Sequence, residues 1–491
     1  MRRGEIDGVT VFEENLPGPL AGVLSFGCDP CDEDLDTIGL THAVQELVLR
    51  AAPYVAEECE QVTYLGETSF SAAGPSEQVA EHFAAVCSVI ECLPPANFAD
   101  ALANADPGDR YLGQADDGLL DPWGSLLARR YGPRGPGLAR WPVVEYRLFT
   151  ADEIGRYVRR FFTAGNAVLA LTAAPPAMNL PLPAGPRVTH PVPPVRHQTG
   201  AVWYSDEVRA AGLAFRAEAD PVVSALLVVL KSRVDVALAG AGLSYWAYLE
   251  SLPIEAAQHE FGLILRPKRT KAKGSGAAAE ILWTELQRLI REGPSRAELD
   301  REAARLEAPP APLRQRMKEP PNMLERLYPL RTDIQQELFG TTDFPPLDPP
   351  DRLRRFTLEA ARDVLARWLS SAMLVVPRGE QPDLPGADEQ TCPTGTMRPS
   401  GEVYRPGLLK RLGDKSTLVV GADSVATVDG GGNVHTVPLV DALLIEKDDR
   451  FWLAHPGHGC VTDVSGYSDA AAKLHAALPP RRVRQEHRFA T

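Results

Sequence analysis

Between Pro175 and Pro194 the chain carries eight prolines, in PPAMNLPLPAGPRVTHPVPP. Proline fixes its own φ and has no N–H to donate, so neither a helix nor a central strand can run through this stretch. It reads as an extended, semi-rigid linker. One plan is written on both sides of it. Phe149-Thr150 opens a helix that leads into the apolar strand Ala167–Leu171. Phe356-Thr357, a helix through Leu369 and the strand Ala372–Val376 repeat that order about 207 positions later. The strand at Ala211–Ala217 (AGLAFRA) likewise mirrors Gly22–Phe26. A repeated unit around a rigid break predicts two similar lobes.

Other elements fill in each lobe. Val9–Phe12 and Gly22–Phe26 read as strands, and Val62–Ala73 alternates like one. Ser76 to Cys92 has Val79, Phe83, Val86 and Ile90 at helical spacing. Thr150-Ala-Asp-Glu153 and Ser295-Arg-Ala-Glu298 are capping boxes that start helices. Leu93–Leu138 reads as irregular, Asp220–Leu238 as a long apolar helix and Glu260–Leu265 as a strand. Lys268–Lys273 (KRTKAK) reads as a solvated loop.

A second linker spans 380–408. Beyond it, short strands at Thr417–Gly421, Ser424–Val428, His435–Val437, Ala442–Glu446 and Phe451–Ala454 precede a helix at Ser468–Leu478. This order resembles a pleckstrin-homology-like barrel with one end plugged by the helix. Few Lys or Arg stand on its strands, which disfavours phosphoinositide binding. The expected fold class is α+β: two similar lobes of antiparallel sheet with helices packed on it, plus a small C-terminal β-rich, barrel-like domain with a closing helix. The expected division is 1–178, linker 179–200, 201–379, linker 380–408, module 409–480 and a loose basic tail, 481–491.

The formal charge of -14 argues against nucleic acid and anionic membranes as partners, since both need a basic field. The densest apolar run, Val222–Leu230, is far shorter than the roughly 20 residues of a membrane span. MRRGEIDG has no apolar run behind its arginines, so no secretory signal is expected. Of seven cysteines, Cys28 and Cys31 form a CxxC without a second pair, and Cys87 and Cys92 are poorly spaced for a metal. They are read as reduced thiols of a cytoplasmic protein. His455-Pro-Gly-His458-Gly-Cys460 gathers ligand-type residues at a strand-connecting turn, with no fourth partner in view.

The chemistry centres on Gly39–Leu49, GLTHAVQELVL. Leu40, Val44, Leu47 and Val48 give a helix one apolar face. His42, Gln45 and Glu46, three and four apart, meet on another. In the H-x-x-E-H pattern two imidazoles one turn apart grip zinc and the Glu takes a proton from the metal-bound water. With the two-lobe repeat and the GLSY stretch at Gly242–Tyr245, this run resembles the insulinase (pitrilysin, mitochondrial processing peptidase) family over roughly residues 5–378.

The resemblance implies a dismantled site. His42 keeps the first ligand position. Gln45 stands where the family has its catalytic Glu, and an amide cannot act as general base. Glu46 replaces the second His. The family's third ligand, a Glu further on, has no clear counterpart; Asp116, Asp117 and Asp121 are the carboxylates nearby. Tyr245 matches a substrate-holding Tyr, the accompanying Arg position is Leu238, and Arg233 is the nearest substitute. The implied function is a non-catalytic subunit that pairs with an active, zinc-containing homologous subunit, binds peptide substrate and helps process it. No cofactor is expected in this chain; zinc is expected in the partner. The alternatives are a peptide-binding scaffold without proteolysis and a residual zinc metallohydrolase using His42, Glu46 and a downstream carboxylate.

Overall fold

The computed structural model describes residues 1–491 apart from 54–55, 65–66, 104–117, 197–199, 219, 256–257, 269–273, 308–322, 341–349, 408–415, 468–469 and 487–491. The first lobe contains β1 (Arg2–Ile6), β2 (Val9–Glu13), β3 (Leu20–Phe26), α1 (Leu40–Ala51), β4 (Glu58–Tyr64), β5 (Glu67–Gly74), α2 (Ser76–Glu91), α3 (Phe98–Ala103), α4 (Pro122–Tyr131), α5 (Ala151–Phe161) and β6 (Ala167–Leu171). Its sheet runs β1-β2-β6-β3-β5-β4, antiparallel except for the parallel pair β2 and β6.

The second lobe contains β7 (Val202–Asp206), β8 (Gly212–Glu218), α6 (Pro221–Gly240), β9 (Tyr245–Glu255), β10 (Gln258–Pro267), α7 (Ser275–Glu292), α8 (Arg296–Glu307), α9 (Met323–Phe339), α10 (Pro350–Arg355), α11 (Leu358–Leu369), β11 (Met373–Pro377) and β12 (Asp388–Glu389). Its order is β12-β7-β11-β8-β10-β9; the five strands β7-β11-β8-β10-β9 match β2-β6-β3-β5-β4 one for one, and β7 and β11 again run parallel. The repeat seen in the sequence is a repeat of topology.

Both faces of both sheets are covered. Alternate strand residues point to opposite sides. In the first lobe Leu24, Phe26, Phe70 and Leu169 pack under α1, α2 and α5. Their neighbours Phe12, Val23, Val168 and Ala170 pack against Met323, Leu327, Leu330 and Ile334 of α9, a helix supplied by the other half of the chain. In the second lobe Leu213, Phe215 and Leu263 pack under α6, α7 and α11. Ala214, Ile264 and Val375 face Trp123, Leu126 and Leu127 of α4, together with Ile445, Trp452 and Val461 of the C-terminal module.

That module consists of β13 (Gly401–Tyr404), β14 (Thr417–Gly421), β15 (Ser424–Val428), β16 (Val434–Pro438), β17 (Leu443–Lys447), β18 (Arg450–His455), β19 (Cys460–Asp463), α12 (Ala470–Ala477) and β20 (Val483–Gln485). Its strands form two sheets, β13-β14-β15-β16 and β19-β18-β17-β20, rather than one closed barrel. Leu418, Val425, Leu444, Leu453 and Leu474 share one core, with α12 closing it.

Four sequence readings are corrected. Residues 62–73 are not one strand but parts of the hairpin β4–β5. Leu93–Leu138 holds a fully buried helix, α4, started by Asp121, whose Oδ2 accepts from Gly124 N at 3.0 Å. The described part of the basic tail, 481–486, is not loose. Arg481 grips both oxygens of Glu153 at 2.7 and 2.8 Å, Arg482 pairs with Asp36 at 2.7 Å, and β20 adds to β17. Arginines that look solvated in a sequence are held because acidic loops of the first lobe lie opposite them. Lastly, Cys392 and Cys460 form a disulfide across 68 positions, so the thiols are not all reduced. Pairing between a linker and a strand start leaves no local spacing signal. Residues 380–408 also contribute β12 and β13 to the flanking sheets.

Candidate functional site

Helix α1 is fixed at its start by a carboxylate. Glu33 accepts from Gly39 N at 2.9 Å, Thr41 N at 2.6 Å and Thr41 Oγ1 at 2.7 Å, satisfying N–H groups that the first turn leaves open. Gly39 has φ of 102°, a conformation that favours glycine. The helix thereby places Gln45 against β4 and β5 and His42 beside Tyr146.

His42, Gln45 and Glu46 are each committed. His42 is buried, its Nδ1 hydrogen-bonded to the Tyr146 hydroxyl and its Nε2 3.9 Å from Glu46 Oε1. Glu46 also meets Arg50 Nε at 3.4 Å. Gln45, 1% exposed, donates from its amide nitrogen to Val62 O at 3.0 Å and Ser69 O at 3.1 Å, and its Oε1 accepts from Thr63 Oγ1. Both of its N–H groups and its carbonyl oxygen go into tying α1 to β4 and β5. A side chain so placed is a strut, and it cannot take a proton from water.

Of the downstream candidates only Asp121 is among the described residues, and it is engaged elsewhere. Asp116 and Asp117 lie outside the described residues. Asp121 caps α4 against the second lobe. There it acts with burial, the larger cause, to push the Glu250 carboxyl up to about 7. Among the described residues no third imidazole, thiol or carboxylate joins His42 and Glu46 within reach of one ion. Among the described residues, His42 and Glu46 alone do not make a donor set that fits zinc.

The second-lobe residues are likewise engaged within the lobe. Tyr245, 2% exposed, begins β9 and exchanges a hydrogen bond with Ser275 Oγ at 3.0 Å. Leu238 is in the core of α6. Arg233 grips Glu298 at 2.7 Å through both oxygens and donates to Gly293 O at 3.1 Å. Cys28 and Cys31 are held as thiols: burial first, then Asp32 for Cys28 and Asp29 for Cys31, push both well up. Burial, then Asp32, raises Asp29 to about 6.

Sequence reading missed the buried charge network that joins the lobes. Arg140 Nη1 donates to Asp206 Oδ2 at 2.5 Å, Ser125 Oγ at 2.8 Å and Gly459 O at 2.9 Å. Arg130 Nε donates to Glu260 Oε1 at 2.7 Å, and Tyr131 Oη donates to Oε2 at 2.9 Å. Burial opposes the Asp206 charge, but Arg140 and Arg129 hold its carboxyl well below the usual range. The run Leu126-Leu-Ala-Arg-Arg-Tyr131, apolar and basic in one turn, was the available signal.

The doubled sheet order and the placing of α1 decide the fold. The chain has the insulinase-type (M16) peptidase fold. The first half of the periplasmic protease PqqL from Escherichia coli superposes with a TM-score of 0.50 at 14% identity, covering 77% of this chain and 92% of that one. A predicted insulinase family protease from Yersinia pestis gives 0.51 at 13%, with 77% and 93% covered. A peptidase M16 inactive domain from Pseudomonas fluorescens gives 0.50 at 14%, with 78% and 99% covered. No family model and no curated protein matches the sequence. On helix α1 of these lobes Gln45 is an amide bonded to Val62 O, Ser69 O and Thr63 Oγ1. No described helix is long and apolar enough to cross a membrane.

Proposed function

We propose that this chain is a non-catalytic subunit with insulinase-type lobes, acting by contact with an active, zinc-containing homologous subunit in peptide processing. One observation carries the reading: the scaffold is kept while Gln45 is wholly spent on backbone carbonyls and a hydroxyl. The P. fluorescens neighbour, described as an inactive domain, is consistent with such a role. Peptide would be held at the outer edge of β4, the last strand of its sheet, whose exposed backbone groups can pair with an extended chain. The filled sheet faces leave that edge as the natural place.

A second reading, a peptide-binding scaffold without proteolysis, is favoured by those same filled faces, because α9 and α4 occupy both sides where a chamber would open. Co-expression with an active insulinase-type homologue separates the two. The pairing reading expects co-purification and peptide cleavage that needs both chains. Full-rate cleavage by the partner alone would count against it. Zinc bound stoichiometrically and lost in His42→Ala would revive a residual metallohydrolase.

A further inference from the structure

The C-terminal module gathers ligand-type side chains from three separate segments. Sγ of Cys392, Sγ of Cys460 and a ring nitrogen of His435 lie within 4.8 Å of one another, and among the described residues no other three-donor set does so. Cys392 comes from the second linker, His435 from β16 and Cys460 from the start of β19. His435 is oriented as a ligand would be. Its Nδ1–H donates to Pro393 O at 2.8 Å, which leaves the Nε2 lone pair available.

A second, independent observation points to the same place. His455 is 8% exposed, and its Nδ1 is buried with no hydrogen-bond partner among the described residues. It stands opposite Cys460 in the β18–β19 ladder, and its ring lies 5.7 Å from that of His435. A buried imidazole nitrogen without a partner calls for an explanation, and a metal is one. Arg129 donates to Cys392 Sγ at 3.6 Å, a contact that would stabilise a metal-bound thiolate.

We propose that Cys392, Cys460 and His435 hold a structural zinc ion in the reduced chain, with the neighbouring His455, which lies outside that three-donor set in the oxidised chain, turning in as the fourth ligand. Two thiolates and two neutral imidazoles are a donor set for tetrahedral zinc. The disulfide present in the structure is the oxidised alternative. A dithiol reductant supplies two electrons and two protons, becomes a cyclic disulfide, and leaves two thiols. Zinc then displaces both thiol protons and forms two Zn–S bonds. The disulfide fastens the linker to β19, and the zinc would fasten it through His435 to β16 of the other sheet as well, beside α4 of the first lobe. The site is separate from His42, so the proposal stands or falls independently of the pairing reading.

The test uses the full chain, reduced with dithiothreitol, incubated with zinc, freed of excess metal without oxygen and assayed for bound zinc. About one zinc per chain is expected after reduction, and none in the oxidised chain, which serves as the folded control. Cys392→Ser, His435→Ala and His455→Ala should each weaken binding at least about 10-fold, whereas His42→Ala and His458→Ala should not. Cobalt substitution should give a thiolate charge-transfer band and the visible bands of a tetrahedral site. Zinc that binds regardless of redox state, or survives Cys392→Ser unchanged, would overturn the proposal, as would a folded, reduced chain that takes up none.

Discussion

Gln45→Glu restores on paper the proton acceptor that the chain lacks, and the structure says what it would do instead. The amide nitrogen meets two carbonyl oxygens at 3.0 and 3.1 Å. An ionised carboxylate would face both, so the new side chain must stay protonated. Holding a glutamic acid protonated at pH 7 against an ordinary pKa near 4.3 takes about 3.7 kcal/mol, at about 1.36 kcal/mol per unit. One O–H replaces two N–H donors, and the abandoned carbonyl adds about 1 kcal/mol. The variant should therefore lose about 4–5 kcal/mol at pH 7 and about 2 kcal/mol at pH 5. The sign follows from a folded pKa raised above the unfolded one: the penalty grows as pH rises. Gln45→Met, which cannot titrate, should lose about 2 kcal/mol at both pH values. Urea unfolding followed by circular dichroism at pH 5 and pH 7 reads these differences. A Gln45→Glu chain as stable as the parent at pH 7 that cleaves peptides in a chelator-sensitive manner would refute the reasoning.

Further outcomes follow from other contacts. Arg140→Leu leaves the buried Asp206 carboxylate with only Arg129, 3.5 Å away, as a cation and should destabilise the chain by about 3–5 kcal/mol in the same urea assay. Leu330→Ala, at a fully buried position of α9, should lose about 2–5 kcal/mol by opening a cavity against the first sheet. The Glu153 carboxyl is held at about 2 by its hydrogen bonds to Arg481, so its contribution is present above about 4.5 and lost as pH falls toward 2; the gap in melting temperature between parent and Glu153→Gln should close over that range. Tyr245→Phe removes one hydrogen bond, to Ser275, and should lower stability by about 1 kcal/mol without changing cleavage by a paired active subunit.

Much of the plan is legible in the residues. Proline spacing forces the break after the first lobe, capping boxes at Thr150 and Ser295 start helices that the structure contains, and apolar spacing places α1, α2 and α6. These are local effects, in which each residue constrains its own φ or its near neighbours. That position 45 is an amide, which cannot accept a proton as a general base does, is likewise a property of the residue whatever the fold. Tertiary structure alone decided what fills each sheet's other face, because α9 and α4 answer to partners more than a hundred positions away. It also decided where the arginines of the tail find carboxylates, and which thiol lies beside Cys460. No periodicity records such meetings, since long-range packing and charge pairing depend on how the chain closes on itself.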